Sequence, residues 1–136
     1  MDLLPSALLN GSVMRLVIAD DQDTFRRDLC GLLERYGFVV AGEAPNGTSA
    51  VPLARELKPD LTVIGLSVRG IGGVDATQAI ADENPDARVL VLARSADYDK
   101  REVLDALLAG ACGYLLKDAE AAEIVAGARA AAKATR

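Results

Sequence analysis

The chain has 136 residues, 51% of them apolar, and 20 acidic against 15 basic side chains give it a net charge of −5. That length suits one domain with a sizeable core, and the apolar share is that of a globular protein rather than a disordered one. The acidic balance argues against a surface built to grip nucleic acid, and with no histidine neither Ser-His nor Cys-His catalysis nor an imidazole metal site is available.

Aromatic residues are few and Trp is absent, so the core must be built from Ala, Val, Leu and Ile. No apolar run approaches the roughly 20 residues that span a bilayer. Residues 1–13 carry four leucines but open on Met1-Asp2 without a basic start, a poor signal peptide. They are expected to form a loose extension, with Met14 as an alternative start. Cys30 and Cys112 match no metal or redox spacing and are expected to be buried free thiols, as in a reducing cytoplasm.

Five short apolar runs alternate with five stretches of helical spacing. Leu16-Val17-Ile18-Ala19 is expected as the first strand and runs into Asp20-Asp21. Phe25, Leu29, Leu32, Leu33 and Tyr36 then line one face of a helix that Gly37 ends. Phe38 to Ala41 is the expected second strand. Ala50, Leu53, Ala54 and Leu57 mark a second helix closed by Pro59, and Pro52 argues for a late start near Ser49. Leu61 to Ile64 is a third strand, followed by a Gly-rich loop from Gly70 to Gly73 and a helix from Val74 to Asn84 that Pro85 stops. Val89 to Leu92 is strand four. Val103, Leu104, Leu107 and Leu108 are expected to define helix four, with Gly110 after it. Tyr114-Leu115-Leu116 is strand five, and a last helix follows Asp118 as its N-cap.

Strands that are apolar throughout imply burial on both faces. Five β-α units with short connections imply a parallel sheet wrapped on both sides by right-handed crossovers, a doubly wound α/β domain over residues 14–134. Sites in such folds lie at the carboxyl ends of the strands. Those ends here are Asp20-Asp21, Gly65, Ala93 and Lys117. Two readings of the acidic pair stand: it holds a hard cation such as Mg²⁺, or one aspartate caps the next helix while the other is solvated. Lys117 alone would be a surface charge.

Four stretches, taken together and in order, resemble the receiver domain of two-component response regulators: RLVIADDQDTFRRDLCGLLE, VVAGEAPNGTSAVPLARELKPDLTVIGL, GIGGVDATQAIADENPDARVLVL and VLDALLAGACGYLLKDA. The resemblance covers about residues 14–134 and is nearest to the NarL/FixJ group, whose members carry a LuxR-type helix-turn-helix. It implies a flavodoxin-like (βα)5 fold with strand order 2-1-3-4-5. It also implies that Asp20 and Asp21 are the metal-binding acidic pair, that Lys117 contacts the phosphoryl group, and that Tyr114 is the aromatic switch position. Two positions depart from the family. The phosphate-accepting aspartate is replaced by Gly65, and the Ser or Thr that binds a phosphoryl oxygen by Ala93. Asp60 is no substitute, standing about five residues or ~16 Å away along the strand.

These departures imply an atypical receiver that is not an enzyme, requires no cofactor and keeps at most a weak Mg²⁺ site on Asp20 and Asp21, since losing a carboxylate weakens the hold on a hard cation. Gly65 leaves space that a neighbour, water or a ligand would fill. Arg69 and Arg94 flank the pocket: one of them occupies the metal's place, or both are solvated. Alternative functions are a small-ligand sensor using the vacated pocket with Lys117 and these arginines, or phosphorylation at Ser67 or Asp21. The family's contact face, helix four, strand five and helix five, implies a homodimer or contact with an output domain or partner protein. DNA is expected only through a further domain, a membrane not at all, and the compartment is the cytoplasm.

Overall fold

The computed structural model describes residues 13–95 and 99–134. Strands β1 (Arg15–Ala19), β2 (Val39–Ala44), β3 (Leu61–Gly65), β4 (Val89–Ala93) and β5 (Gly113–Leu116) pair in parallel in the order β2-β1-β3-β4-β5. They alternate with helices α1 (Asp23–Arg35), α2 (Gly47–Leu57), α3 (Gly73–Glu83), α4 (Lys100–Ala109) and α5 (Ala121–Ala132). The expected doubly wound α/β fold and its strand order are therefore the observed ones. The extension expected over residues 1–13 lies, apart from Val13, outside the described residues.

Each inner strand sends side chains into two cores. Leu16, Ile18, Val63 and Leu92 pack under α1 and α5, while Ala19, Ile64, Val91 and Ala93 pack under α2, α3 and α4. Burial on both faces is why these strands read as continuous apolar runs. Strand order reverses between β1 and β3, and that reversal opens the crevice at their carboxyl ends. Among the described residues no helix is long and apolar enough to cross a membrane.

Three local expectations are corrected. β2 runs on to Ala44 rather than ending at Ala41, because a register shift between Leu16 and Val17 lets β1 keep pairing with Gly42, Glu43 and Ala44. α2 starts at Gly47, not near Ser49: Asn46 caps it, its side chain accepting the Ser49 N–H at 2.7 Å, and the helix carries Pro52 in its interior. Asp118 does not cap α5, whose N-cap is Glu120; its carboxylate accepts the Ser95 hydroxyl instead. Helix α4 lies where it was expected, and its apolar residues divide between two faces. Its buried face is Val103, Ala106 and Ala109, whereas Leu104 (53% exposed), Leu107 and Leu108 (78% exposed) face outward. Both sets repeat at helical spacing, so periodicity alone does not say which one meets the sheet.

Both cysteines are free; Cys30 is buried and Cys112 half-buried. Burial, reinforced by the neighbouring Glu43 carboxylate, pushes the Cys30 thiol up to about 12 from an ordinary value of 9.0. Above pH 9 the unfolded chain therefore sheds a proton that the folded chain keeps, so stability falls as pH rises between 9 and 12. The contribution of this thiol approaches about 1.4 kcal/mol per pH unit. Urea unfolding from pH 8 to 10.5 should show a steeper decline for the parent than for Cys30→Ala; parallel declines would contradict the assignment.

Candidate functional site

The chain leaves β1 at Ala19 and turns at once. The Asp20 N–H donates to the Ala44 carbonyl at 3.0 Å, and Asp20 Oδ1 accepts the Gln22 N–H at 2.9 Å. An aspartate bonding the backbone two residues on is a compact way to redirect a chain into a helix, and Gln22 is the N-cap of α1. The turn leaves the Asp20 carboxylate 1% exposed, at the sheet's carboxyl edge.

Lys117 approaches from the end of β5, its own N–H held by the Ala93 carbonyl at 2.9 Å. Its Nζ stands 2.6 Å from Asp20 Oδ2, donates to Gln22 Oε1 at 2.6 Å, and lies 4.6 Å over the centre of the Phe25 ring. The lysine side chain is only 9% exposed, so the ammonium is enclosed rather than the surface charge that its position alone suggested. Asp20 Oδ2 takes no hydrogen bond of favourable angle; the contact is held as an ion pair. At this depth the attraction is poorly screened, and both groups have surrendered water to make it.

Gly65 explains how the pair fits. It is the last residue of β3, and a Cβ built on it would lie 2.6 Å from Asp20 Oδ2 and 3.4 Å from Asp20 Cγ. The space that any larger residue's side chain would enter is thus already filled by the Asp20 carboxylate. Of the occupants weighed for that space, the neighbour is the one observed.

The β3–α3 loop is tied to the start of α2, with Gly47 N–H donating to the Arg69 carbonyl at 2.8 Å and Ile71 N–H to the Thr48 hydroxyl at 3.3 Å. Gly70 takes φ +79°, a left-handed turn natural to glycine. The loop brings Arg69 Nε to 3.6 Å from Asp21 Oδ2, but the arginine side chain is 84% exposed, where such a pair contributes little. Arg69 therefore leans on Asp21 from outside, and the cation beside Asp20 is Lys117. Arg94 borders an open depression of about 280 Å³ together with Gln22, Phe25, Ser95 and Lys117. Ala93 is buried, Tyr114 is turned outward at 42% exposure, and Ser67 is exposed. Asp60 lies at the opposite edge of the sheet, accepting the Arg15 N–H at 2.7 Å.

One contributor escaped the sequence reading. Arg26 is buried on α1, where Nη1 donates to the Asp20 carbonyl at 2.6 Å and contacts Asp23 at 2.9 Å, while Nε donates to Glu43 at 3.0 Å. Burial alone would lower its guanidinium, but bonds to Glu43 and Asp23 outweigh that and raise it. Arg26 fixes the Asp20 backbone as Lys117 fixes its side chain. The signal was an arginine on the stripe of Leu29, Cys30 and Leu33 that α1 buries.

As arranged, these donors do not suit Mg²⁺. One carboxylate is engaged by an ammonium, Asp21 borders a guanidinium, and residue 65 offers no side-chain oxygen. Among the described residues no group of three or more His, Cys, Asp or Glu side chains comes together.

Comparison with known proteins establishes the family. The model for the response regulator receiver domain matches residues 16–129. The chain belongs to that family. It is 39% identical over 122 residues to the transcriptional regulatory protein LiaR of Bacillus subtilis, covering 89% of this chain and 57% of LiaR. It is 33% identical to the chemotaxis protein CheY of Thermotoga maritima, covering 82% and 91%. The receiver domain of the response regulator NarL from Mycobacterium tuberculosis superposes with a TM-score of 0.84 at 31% identity, over 90% of this chain and 98% of that one. The receiver domain thus sits with regulators of the NarL and LuxR type, and it spans little more than half of LiaR.

Removing the ammonium from this receiver should leave a buried, unpaired carboxylate. Lys117→Ala is expected to cost roughly 3–5 kcal/mol by the precedent of broken buried pairs, read by urea unfolding at pH 7. A loss below about 1 kcal/mol would mean that the pair is solvated or dispensable.

Proposed function

We propose that this receiver domain is a regulatory module that works through surface contacts and without phosphorylation of an aspartate at its strand-end site. The observation that carries this reading is the Asp20 carboxylate, paired with Lys117, in the side-chain space of Gly65. Phosphoryl transfer to a carboxylate needs a nucleophile, a cation against the developing charge, and donors on the moving oxygens. Residue 65 supplies no nucleophile, the ammonium neutralises the carboxylate that a metal would use, and Ala93 has no hydroxyl to follow a phosphoryl group. In this reading the domain is a non-enzymatic component of cytoplasmic signalling, held in one state by an internal ion pair.

The surface best suited to contact is the outer face of α4 with β5. Leu104, Leu107, Leu108 and Tyr114 are all exposed there, and clustered exposed apolar side chains mark association sites. A second copy of the chain is the partner we assign, in a two-fold arrangement that covers both patches at once. Contact with a following output domain is the other outcome. Sedimentation of the native domain should show a concentration-dependent dimer that Leu104→Lys/Leu108→Lys abolishes. A native chain that stays monomeric at high micromolar concentration would remove the homodimer.

The chemistry is tested by intact mass after incubation with Mg²⁺ and acetyl phosphate, beside Gly65→Asp. The native domain should gain no phosphoryl group. In Gly65→Asp the new side chain must push the Asp20 carboxylate aside, restoring a cluster of three carboxylates. That variant should be stabilised by Mg²⁺ and take up phosphate. Phosphate on the native chain would refute the proposal.

A further inference from the structure

At the opposite edge of the sheet, the C-terminal halves of α2 and α3 and the start of β3 border a cavity of about 340 Å³. That volume falls within the roughly 300–1,000 Å³ typical of small-molecule sites. Its walls include Val51, Ala54 and Ile80, all buried, with Thr62 of β3 among the lining residues. Nothing in the strand-end site reaches it: Thr62 and Gly65 stand at opposite ends of β3, about 10 Å apart by strand rise.

The lining charge is unlike that of the molecule. The chain as a whole carries −5, yet the cavity is bordered by Arg55, Lys58 and Arg88 against the one carboxylate of Glu83. Arg55 and Glu83 join in a two-point salt bridge from α2 to α3 and neutralise each other. Lys58 and Arg88 are left as the net positive charge at the cavity. Lys58 is the C-cap of α2, in the left-handed conformation (φ 46°), which turns the chain into Pro59. Arg88 is among the lining residues, and its Nε donates to the Ala134 carbonyl at 2.6 Å. Both helices present carbonyl ends at this edge, and such ends repel an anion. The charge that favours one comes from Lys58 and Arg88.

We propose that this cavity is a binding site for a small amphipathic carboxylate, its apolar body against Val51, Ala54 and Ile80 and its acid group between Lys58 and Arg88. Apolar walls with a net positive lining fit that class better than a bare inorganic anion, which leaves the walls unused, or an amine, which the lining repels. The site stands independently of the reading of Gly65. Occupancy would brace α2 against α3, beside the helix that leads back to the end of β3.

Hexanoate serves as the probe, titrated into the intact chain while amide resonances and melting temperature are followed. Saturable shifts centred on α2 and α3 and a raised melting temperature are expected, with hexylamine and inorganic phosphate giving neither. Lys58→Gln/Arg88→Gln should weaken hexanoate at least tenfold with circular dichroism unchanged, and Ala54→Leu, which fills the cavity, should abolish it. No saturable shift with hexanoate, equal response to hexylamine or phosphate, or undiminished binding by the double variant would overturn the proposal.

Discussion

A buried ammonium against a buried carboxylate organises the carboxyl edge of this sheet. Separating either partner from water costs several kcal/mol, and the cost is recovered only with close geometry and further bonds on each group. Lys117 and Asp20 meet both conditions: 2.6 Å between charges, Gln22 on each partner, and an aromatic ring under the cation. The pair also spans the domain, since Asp20 follows β1 and Lys117 follows β5, with β3 and β4 between them. A contact that ties the two sides of an edge fixes the relative position of every loop along it.

The rest of the site follows from that contact. Gly65 is compatible with it because it has no Cβ to meet Asp20 Oδ2. Arg26 anchors the Asp20 carbonyl and reaches Glu43 on β2, so the acidic turn is held from both sides of β1. Asp21, half-buried and bordered by Arg69, is the more accessible of the two aspartates. The arrangement resembles a switch whose input position is already occupied: a fixed positive charge stands beside the carboxylate that a metal would share. In the proposed reading, signalling comes from surfaces such as the α4–β5 face.

Much of this architecture was readable from the residues. Runs such as Leu16–Ala19 and Val89–Leu92, apolar at every position, announced strands buried on two faces, and short connections implied parallel order. Asp20, Asp21, Gly65, Ala93 and Lys117 were identified because strand ends are where such folds place their sites. The missing parts share a physical cause. Periodicity gives the spacing of a helical face but not its rotation, so Val103, Leu104, Leu107 and Leu108 marked a helix without showing that Val103, Ala106 and Ala109 are the side it buries. A polar side chain's partner is likewise set by tertiary approach. Asp118 was paired in expectation with a helix end, yet its carboxylate meets Ser95. Arg26 went unnoticed because a basic residue within a helix is ordinarily a solvated one.

The most direct test of this account is a Mg²⁺ titration of the native domain followed by the backbone amide resonances of Asp20, Asp21 and Gly65. With the ion pair closed, these resonances should move only slightly and without saturation up to 10 mM Mg²⁺, an order-of-magnitude ceiling well above the affinities of dedicated divalent sites. A saturable shift at all three positions with a midpoint near 1 mM or below would show that Lys117 yields to a metal, and the central claim of an occupied site would fall.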